Sequence, residues 1–371
     1  MMVVSKQLQI FFDSLRFCIG SAKEIPSSLK EADWEELYAI ARKQCLVGIL
    51  FDGIKKLPAE LVGMKKEILL QWMAESQMLE KANARLNDAA IQVYEWFRKK
   101  GFRTCILKGQ GNALMYPNPY SRTPGDIDIW VEGGDKRVIS FVRSISSHEK
   151  ACYHHIDFPS YKGMEVEVHY RPSFLLCFWH NRKLQKYYER VKEEQFSHRV
   201  MLGEQGEIAI PTVEFNLIFL LTHIYAHLMN EGIGLRQLQD YYYVLISDDL
   251  LLIRDRVQKE LKELGLWKFA GGIMYIMQEV FGMPASRLIV PPNEKYGKFV
   301  LNEVLEAGNF GRHDARNRFG RSQLGHNLQR VYRDIRLVRY FPAEALCEPL
   351  FRIWHFFWRL KHRRQSLGVF S

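Results

Sequence analysis

Three short segments decide the reading of this chain. They are Leu107-Lys108-Gly109, then Arg122-Thr123-Pro124-Gly125-Asp126-Ile127-Asp128-Ile129-Trp130, then Glu165-Val166-Glu167-Val168-His169-Tyr170-Arg171. Strand side chains alternate between faces with a period of two. In the second segment Asp126 and Asp128 therefore share one face, and Ile127, Ile129 and Val131 share the other. The third segment repeats the device, with Glu165, Glu167 and His169 on one face and Val166, Val168 and Tyr170 opposite. Placed side by side, two such strands gather three or four carboxylates. A cluster of that kind raises its own pKa values unless a cation sits among them. The pattern points to a divalent metal and, through it, to phosphoryl chemistry.

The flanking texture sets the organisation. Residues 1–100 read as helical, with apolar stripes through Leu8, Phe11, Phe12 and Leu15, then from Trp34 to Leu57, then along Glu60 to Lys100. From Gly101 the chain turns to strands and loops. Strands are expected at Phe102–Leu107, Asp126–Val131, Tyr153–Phe158 and Met164–Tyr170, with a helical turn at Ala113–Tyr116. A helix capped by Asp135 is expected to run to Ile145. The last two strands, with Pro159, Ser160 and Gly163 between them, read as an antiparallel hairpin. From about Leu175 the pattern is helical again, with Thr212 as the N-cap of an apolar helix. The division is thus a helical region at 1–100, a catalytic core at 101–172 and a helical region at 173–371.

The 371 residues carry a formal charge of +10, which favours anionic partners without choosing among them. The six cysteines show neither CxxC nor zinc-finger spacing, so they read as the reduced thiols of a cytoplasmic protein. Lys6, Asp13 and Arg16 break the apolar runs of a would-be signal peptide. No apolar run reaches membrane-spanning length, so no integral membrane association is expected. The basic, aromatic stretch from Phe351 to Arg364 is read as a docking helix with a solvated basic end. A nucleic-acid or membrane surface is the alternative for it.

Taken together, the segments resemble the nucleotidyltransferase fold of the DNA polymerase β type, and more closely a bacterial family of uncharacterised nucleotidyltransferases. The resemblance rests on Leu107-Lys108-Gly109, Tyr116-Pro117-Asn118-Pro119-Tyr120-Ser121-Arg122, Asp126-Ile127-Asp128 and Glu167-Val168-His169-Tyr170. It extends to His223 and His227, to Leu235-Arg236-Gln237 with Asp240, and to Gly308-Asn309-Phe310-Gly311, covering roughly residues 30–320. It implies an α+β protein with a small mixed sheet between helical regions. It also implies transfer of a nucleoside monophosphate from an NTP to an acceptor hydroxyl or phosphate, with release of pyrophosphate.

On this reading Asp126, Asp128 and Glu167 hold Mg2+ or Mn2+, and Glu167 is the alternative base. Lys108, Gly109 and Arg122 face the phosphates. His169, His223, His227, Arg236 and Asp240 are candidates for the cleft wall, although Arg236 and Asp240 are most simply a helix pair four residues apart. One departure stands out: the superfamily's phosphate-holding Gly-Ser is Gly109-Gln110 here. That departure leaves room for a nucleotide- or partner-binding protein without catalysis. The acceptor, whether small molecule, nucleic acid or protein, is not written in the sequence.

Overall fold

The computed structural model describes residues 5–58, 60, 63–204, 206–314, 316 and 323–365. The N-terminal part is helical: α1 (Lys6–Ile19), α2 (Trp34–Lys43), α3 (Val47–Ile54) and the long α4 (Lys66–Lys99). Ser5 and Asp33 accept hydrogen bonds from backbone amides in the first turns of α1 and α2, capping both. Gly20, with φ of 81°, ends α1 in the left-handed conformation that a side chain resists. Leu86, Ala89, Ala90, Val93 and Phe97 form the stripe that α4 buries.

The middle of the chain supplies the sheet. In order come β1 (Thr104–Leu107), α5 (Gly109–Ala113), β2 (Ile127–Val131), α6 (Gly134–Ile145), β3 (His155–Tyr161) and β4 (Met164–His169). The strand order is β1-β2-β4-β3, so β2 and β4 are the two central strands. They run parallel, and Asp128 lies opposite Glu167. β1 pairs antiparallel to β2 on the other side, which puts Leu107 opposite Asp128. Every residue of β2 is buried. Trp130, on the face of Asp128, packs against Phe196 and Phe215 at ring distances of 4.7 and 5.8 Å. The mixed α+β architecture with a small four-stranded sheet is the one the sequence led us to expect.

The remaining elements are α7 (Phe178–Ser197), β5 (Arg199–Leu202), β6 (Gly206–Ala209), α8 (Val213–Asn230), α9 (Leu235–Leu245), α10 (Leu250–Glu263), α11 (Trp267–Glu279), α12 (Glu294–Ala307), α13 (Gln323–Val338) and α14 (Pro342–Gln365). Thr212 does cap α8, accepting from Phe215 N. Among the described residues no helix is long and apolar enough to cross a membrane. All six cysteines are free.

Several boundaries differ from expectation. The helical turn after β1 is α5 at Gly109–Ala113, not Ala113–Tyr116, because the chain bends at Lys108 and Gly109. Asp135 is not a cap. Gly133 holds that position, and Asp135 binds the Lys136 amide and Arg171. The hairpin loop is shorter than expected: β3 runs through Pro159 and Ser160, and the reversal occurs at Lys162-Gly163, both with positive φ. The β5–β6 hairpin interrupts a region expected to be helical. Its four-residue strands are too short for a period of two to stand out. Arg318 and Arg321 lie outside the described residues.

The C-terminal helix docks as expected, although only along one side. Phe351 is buried and stacks on Phe174 at 5.2 Å, and Arg143 donates to the carbonyl of His362. Leu346, Leu350, Ile353, Phe357 and Leu360 remain exposed on the helix.

Candidate active site

The end of the parallel β2–β4 pair opens into a cavity of about 290 Å³ walled by α8 and α9. All of Lys108, Gly109, Arg122, Asp126, Asp128, Glu167, His169, His223, His227, Arg236 and Asp240 line it. Glu165 does not, being exposed on the outer part of β4.

Asp128 sits within β2, whereas Asp126 lies just before the strand begins. With Glu167 across the parallel ladder, the three residues offer carboxylate oxygens that all lie within 4.8 Å of one another. This is a set of hard oxygen donors, the kind that suits Mg2+ or Mn2+. The neighbouring charge of Asp128, together with burial, raises the pKa of Asp126. The cluster thus shows the like-charge strain that a cation relieves, and the residues present fit a divalent ion.

Two basic groups of the chain already lean on this cluster. Lys108 Nζ lies 3.0 Å from Asp128 Oδ1, and His169 Nε2 lies 2.8 Å from the same oxygen. His169 Nε2 is also 3.3 Å from Glu167. Burial alone would raise the pKa of Asp128, but Lys108 and His169 outweigh it and hold the carboxyl below its usual range. Burial likewise works against a charged Lys108, and the surrounding carboxylates win. Lys108 reaches this position from a strained backbone, with φ of 50° and ψ of −140°. Such conformations concentrate at functional sites.

The opposite wall belongs to α8 and α9. His223 Nε2 lies 3.4 Å from Lys108 Nζ, and the His223 and His227 rings meet edge to face at 4.2 Å. Burial and the Lys108 charge keep His223 neutral, well below the usual histidine range. The His223–His227 pair forms no three-donor metal group among the described residues. His227 instead hydrogen-bonds Glu231 and packs on Phe310.

Arg122, Arg236 and Asp240 arrange themselves differently from the sequence expectation. Arg122 Nε and Nη2 donate to the two oxygens of Asp240, each at 2.8 Å, and both side chains are buried. The phenol of Tyr116 donates to Asp240 as well, at 2.5 Å. Asp240 is therefore the anchor of Arg122, and Arg236 is not its helix partner. Arg236 lines the cavity and makes no hydrogen bond or ion pair with another described residue. Its Nε is buried without an acceptor. Burial, with Arg122 nearby, lowers its pKa, while Asp240 and Asp126 favour its charge.

Gln110, at the position where the resemblance implies a serine, does not line the cavity. It is buried and hydrogen-bonds Asn87 of α4. Gly308-Asn309-Phe310-Gly311 supports the far wall, where Asn309 accepts from Gln237 at 2.9 Å and Phe310 reaches His227. His154 and His155 also line the cavity, a role that their place at the start of an expected strand does not reveal. Burial opposes a charge on His155, but Asp157, Cys152 and Glu167 push its pKa up to about 11. The available signal was Cys152-Tyr153-His154-His155 itself, three ligand-type residues within four positions.

Comparison with curated proteins found no match. The model of a family described as uncharacterised nucleotidyltransferases matches residues 30–282, which include β1, β2, β4, α8 and α9 with the whole carboxylate cluster and its facing histidines and arginines. The chain belongs to this nucleotidyltransferase family.

Proposed function

We propose that the cleft transfers a nucleoside monophosphate from an NTP to an acceptor hydroxyl or phosphate in a reaction that depends on Mg2+ or Mn2+. The observation that carries this reading is the convergence of Asp126, Asp128 and Glu167 in one cavity with the uncommitted Arg236 opposite. The three carboxylates would hold the ion, which when bound would withdraw charge from phosphate oxygens. The acceptor oxygen forms a bond to the α-phosphorus as the bond to the bridging oxygen breaks. Pyrophosphate leaves with that electron pair.

The chain's own groups have distinct tasks. Glu167, partly open to the cavity, takes the proton of an acceptor hydroxyl. His169 holds Asp128 in place through Nε2. Arg236 meets the triphosphate with a two-pronged donor. Lys108 moves between Asp128 and phosphate. Arg122, anchored by Asp240, orients the α9 wall.

Calorimetric titration with each NTP in the presence of Mg2+ tests the donor half. Binding that is lost in Asp126→Ala/Asp128→Ala, with a cooperative melt retained, supports it; unchanged binding in that variant refutes it. The orientation of Gln110 towards Asn87 favours one second reading, a protein that binds the nucleotide and does not transfer it. That reading predicts NTP binding with no pyrophosphate release under any acceptor condition.

A further inference from the structure

Next to the carboxylates lies a second donor set of different chemistry. Cys152 Sγ is 3.4 Å from Nδ1 of His154 and 3.4 Å from Nδ1 of His155, and His155 Nδ1 is 3.0 Å from Nε2 of His154. One donor atom from each of the three residues lies within 4.8 Å of the others. Donors around one tetrahedral zinc stand roughly 3.3–3.6 Å apart, given Zn–S and Zn–N bonds of about 2.3 and 2.0–2.1 Å. The 3.4 Å spacings from Cys152 Sγ to one nitrogen of each imidazole fall in that range, and with a single donor per ring the whole set lies within 4.8 Å.

The backbone that presents the donors is held on all sides. Cys152 N donates to the carbonyl of His155 at 2.9 Å, closing a tight turn. Tyr170 N and Arg171 N both donate to the carbonyl of His154, at 3.0 and 3.1 Å. Arg171 Nη1 reaches the Tyr153 carbonyl at 2.8 Å, and the Tyr170 phenol reaches the carbonyls of Cys152 and His155. A turn braced in this way presents its side chains without having to reorganise, which is what a metal site needs.

A separate observation points to a ligand. His169 is 2 % exposed, and its Nδ1 is buried without a hydrogen-bond partner, because Asp128 and Glu167 engage the other ring nitrogen. Its ring centre lies 5.4 Å from that of His154 and 5.3 Å from that of His155. A buried polar atom left without a partner is costly, so something is expected to meet it.

We propose that Cys152, His154 and His155 bind a zinc-class divalent ion, with the unpartnered Nδ1 of the adjacent His169 as a candidate fourth donor. Thiolate and imidazole ligands select such an ion over Mg2+, so the two sets discriminate between metals although they share one cavity. The ion would tie the start of β3 to the end of β4, beside Glu167. The site stands independently of the transfer reaction.

The test is the metal content of the full-length protein, purified without an affinity metal and exchanged into chelator-treated buffer. About one zinc per chain is expected. Cys152→Ser and His154→Ala should each lower it by about tenfold or more, whereas Asp126→Ala/Asp128→Ala should leave it unchanged. Cobalt added to the metal-depleted wild type should give a thiolate-to-cobalt absorption band, which decides the matter if the Cys152 variant fails to fold. Absence of both zinc and the cobalt band would overturn the proposal. The cluster would then be a metal-free hydrogen-bond chain from the thiol through the two imidazoles to Asp157. Zinc lost in the Asp126→Ala/Asp128→Ala protein and kept in Cys152→Ser would also overturn it.

Discussion

Arg122 and Asp240, 118 residues apart, are joined by two parallel hydrogen bonds of 2.8 Å in a buried pocket beside the carboxylate cluster. The pair ties the loop that leads into β2 to the helix that forms the opposite wall. Asn83 of α4 adds to the tie by donating to the Arg122 carbonyl at 2.7 Å. The ion pair thus joins the two sides of the cleft that both residues line.

Removing one partner leaves a buried charge without compensation. Arg122→Ala and Asp240→Asn should each destabilise the fold by about 3–5 kcal/mol in chemical denaturation. The double variant Arg122→Met/Asp240→Leu should recover most of that loss. Recovery of stability with little recovery of turnover would show that the pair positions the wall.

Arg236 should behave in the opposite way. It makes no ion pair with another described residue, so Arg236→Ala should change stability by no more than about 1 kcal/mol. Its affinity for NTP should fall by roughly 10–100-fold, the size of a charge-assisted hydrogen bond. Wild-type affinity in this variant would remove Arg236 from the phosphate site.

The pair also predicts a pH dependence. Burial would raise the pKa of Asp240, but Arg122 overcomes this and holds it below its ordinary value. A carboxyl depressed in the folded state contributes stability above its unfolded pKa of about 3.9, and loses it as pH falls through the folded value. The denaturation midpoint should therefore drop below about pH 4 in the wild type. The Asp240→Asn protein should be less stable throughout and should lack this component of the acid slope.

Gly48 tests the support behind Arg122. A Cβ at this position would sit 2.3 Å from the carbonyl oxygen of Ser121, which is backbone and cannot swing aside. Gly48→Ala should cost about 1–3 kcal/mol by pushing α3 away from that loop. A variant of unchanged stability and activity would show that the loop yields freely.

The sequence carried the centre of this protein and little of its periphery. Alternation placed Asp128 and Glu167 on inward faces, and the paired strands bring them opposite one another. The Arg122–Asp240 contact could not be read, since a local rule offered Asp240 a nearer partner in Arg236 and only the three-dimensional fold brings in the distant one. Lys108 gave no warning of its left-handed backbone, because that strain is maintained by the surrounding structure. His154 and His155 were visible as letters, but their role depends on Cys152 and His169 lying around the same turn. The β5–β6 hairpin was hidden by its shortness.

Pyrophosphate release tests the central claim most directly, measured with each common NTP, Mg2+ or Mn2+ and a panel of hydroxyl acceptors. The account predicts release with at least one NTP, reduced by about 100-fold or more in Asp126→Ala/Asp128→Ala that still melts cooperatively. Release that persists in this variant would contradict the assignment of the carboxylates. A wild-type protein that neither releases pyrophosphate nor gains thermal stability from any NTP would contradict nucleotidyl transfer itself.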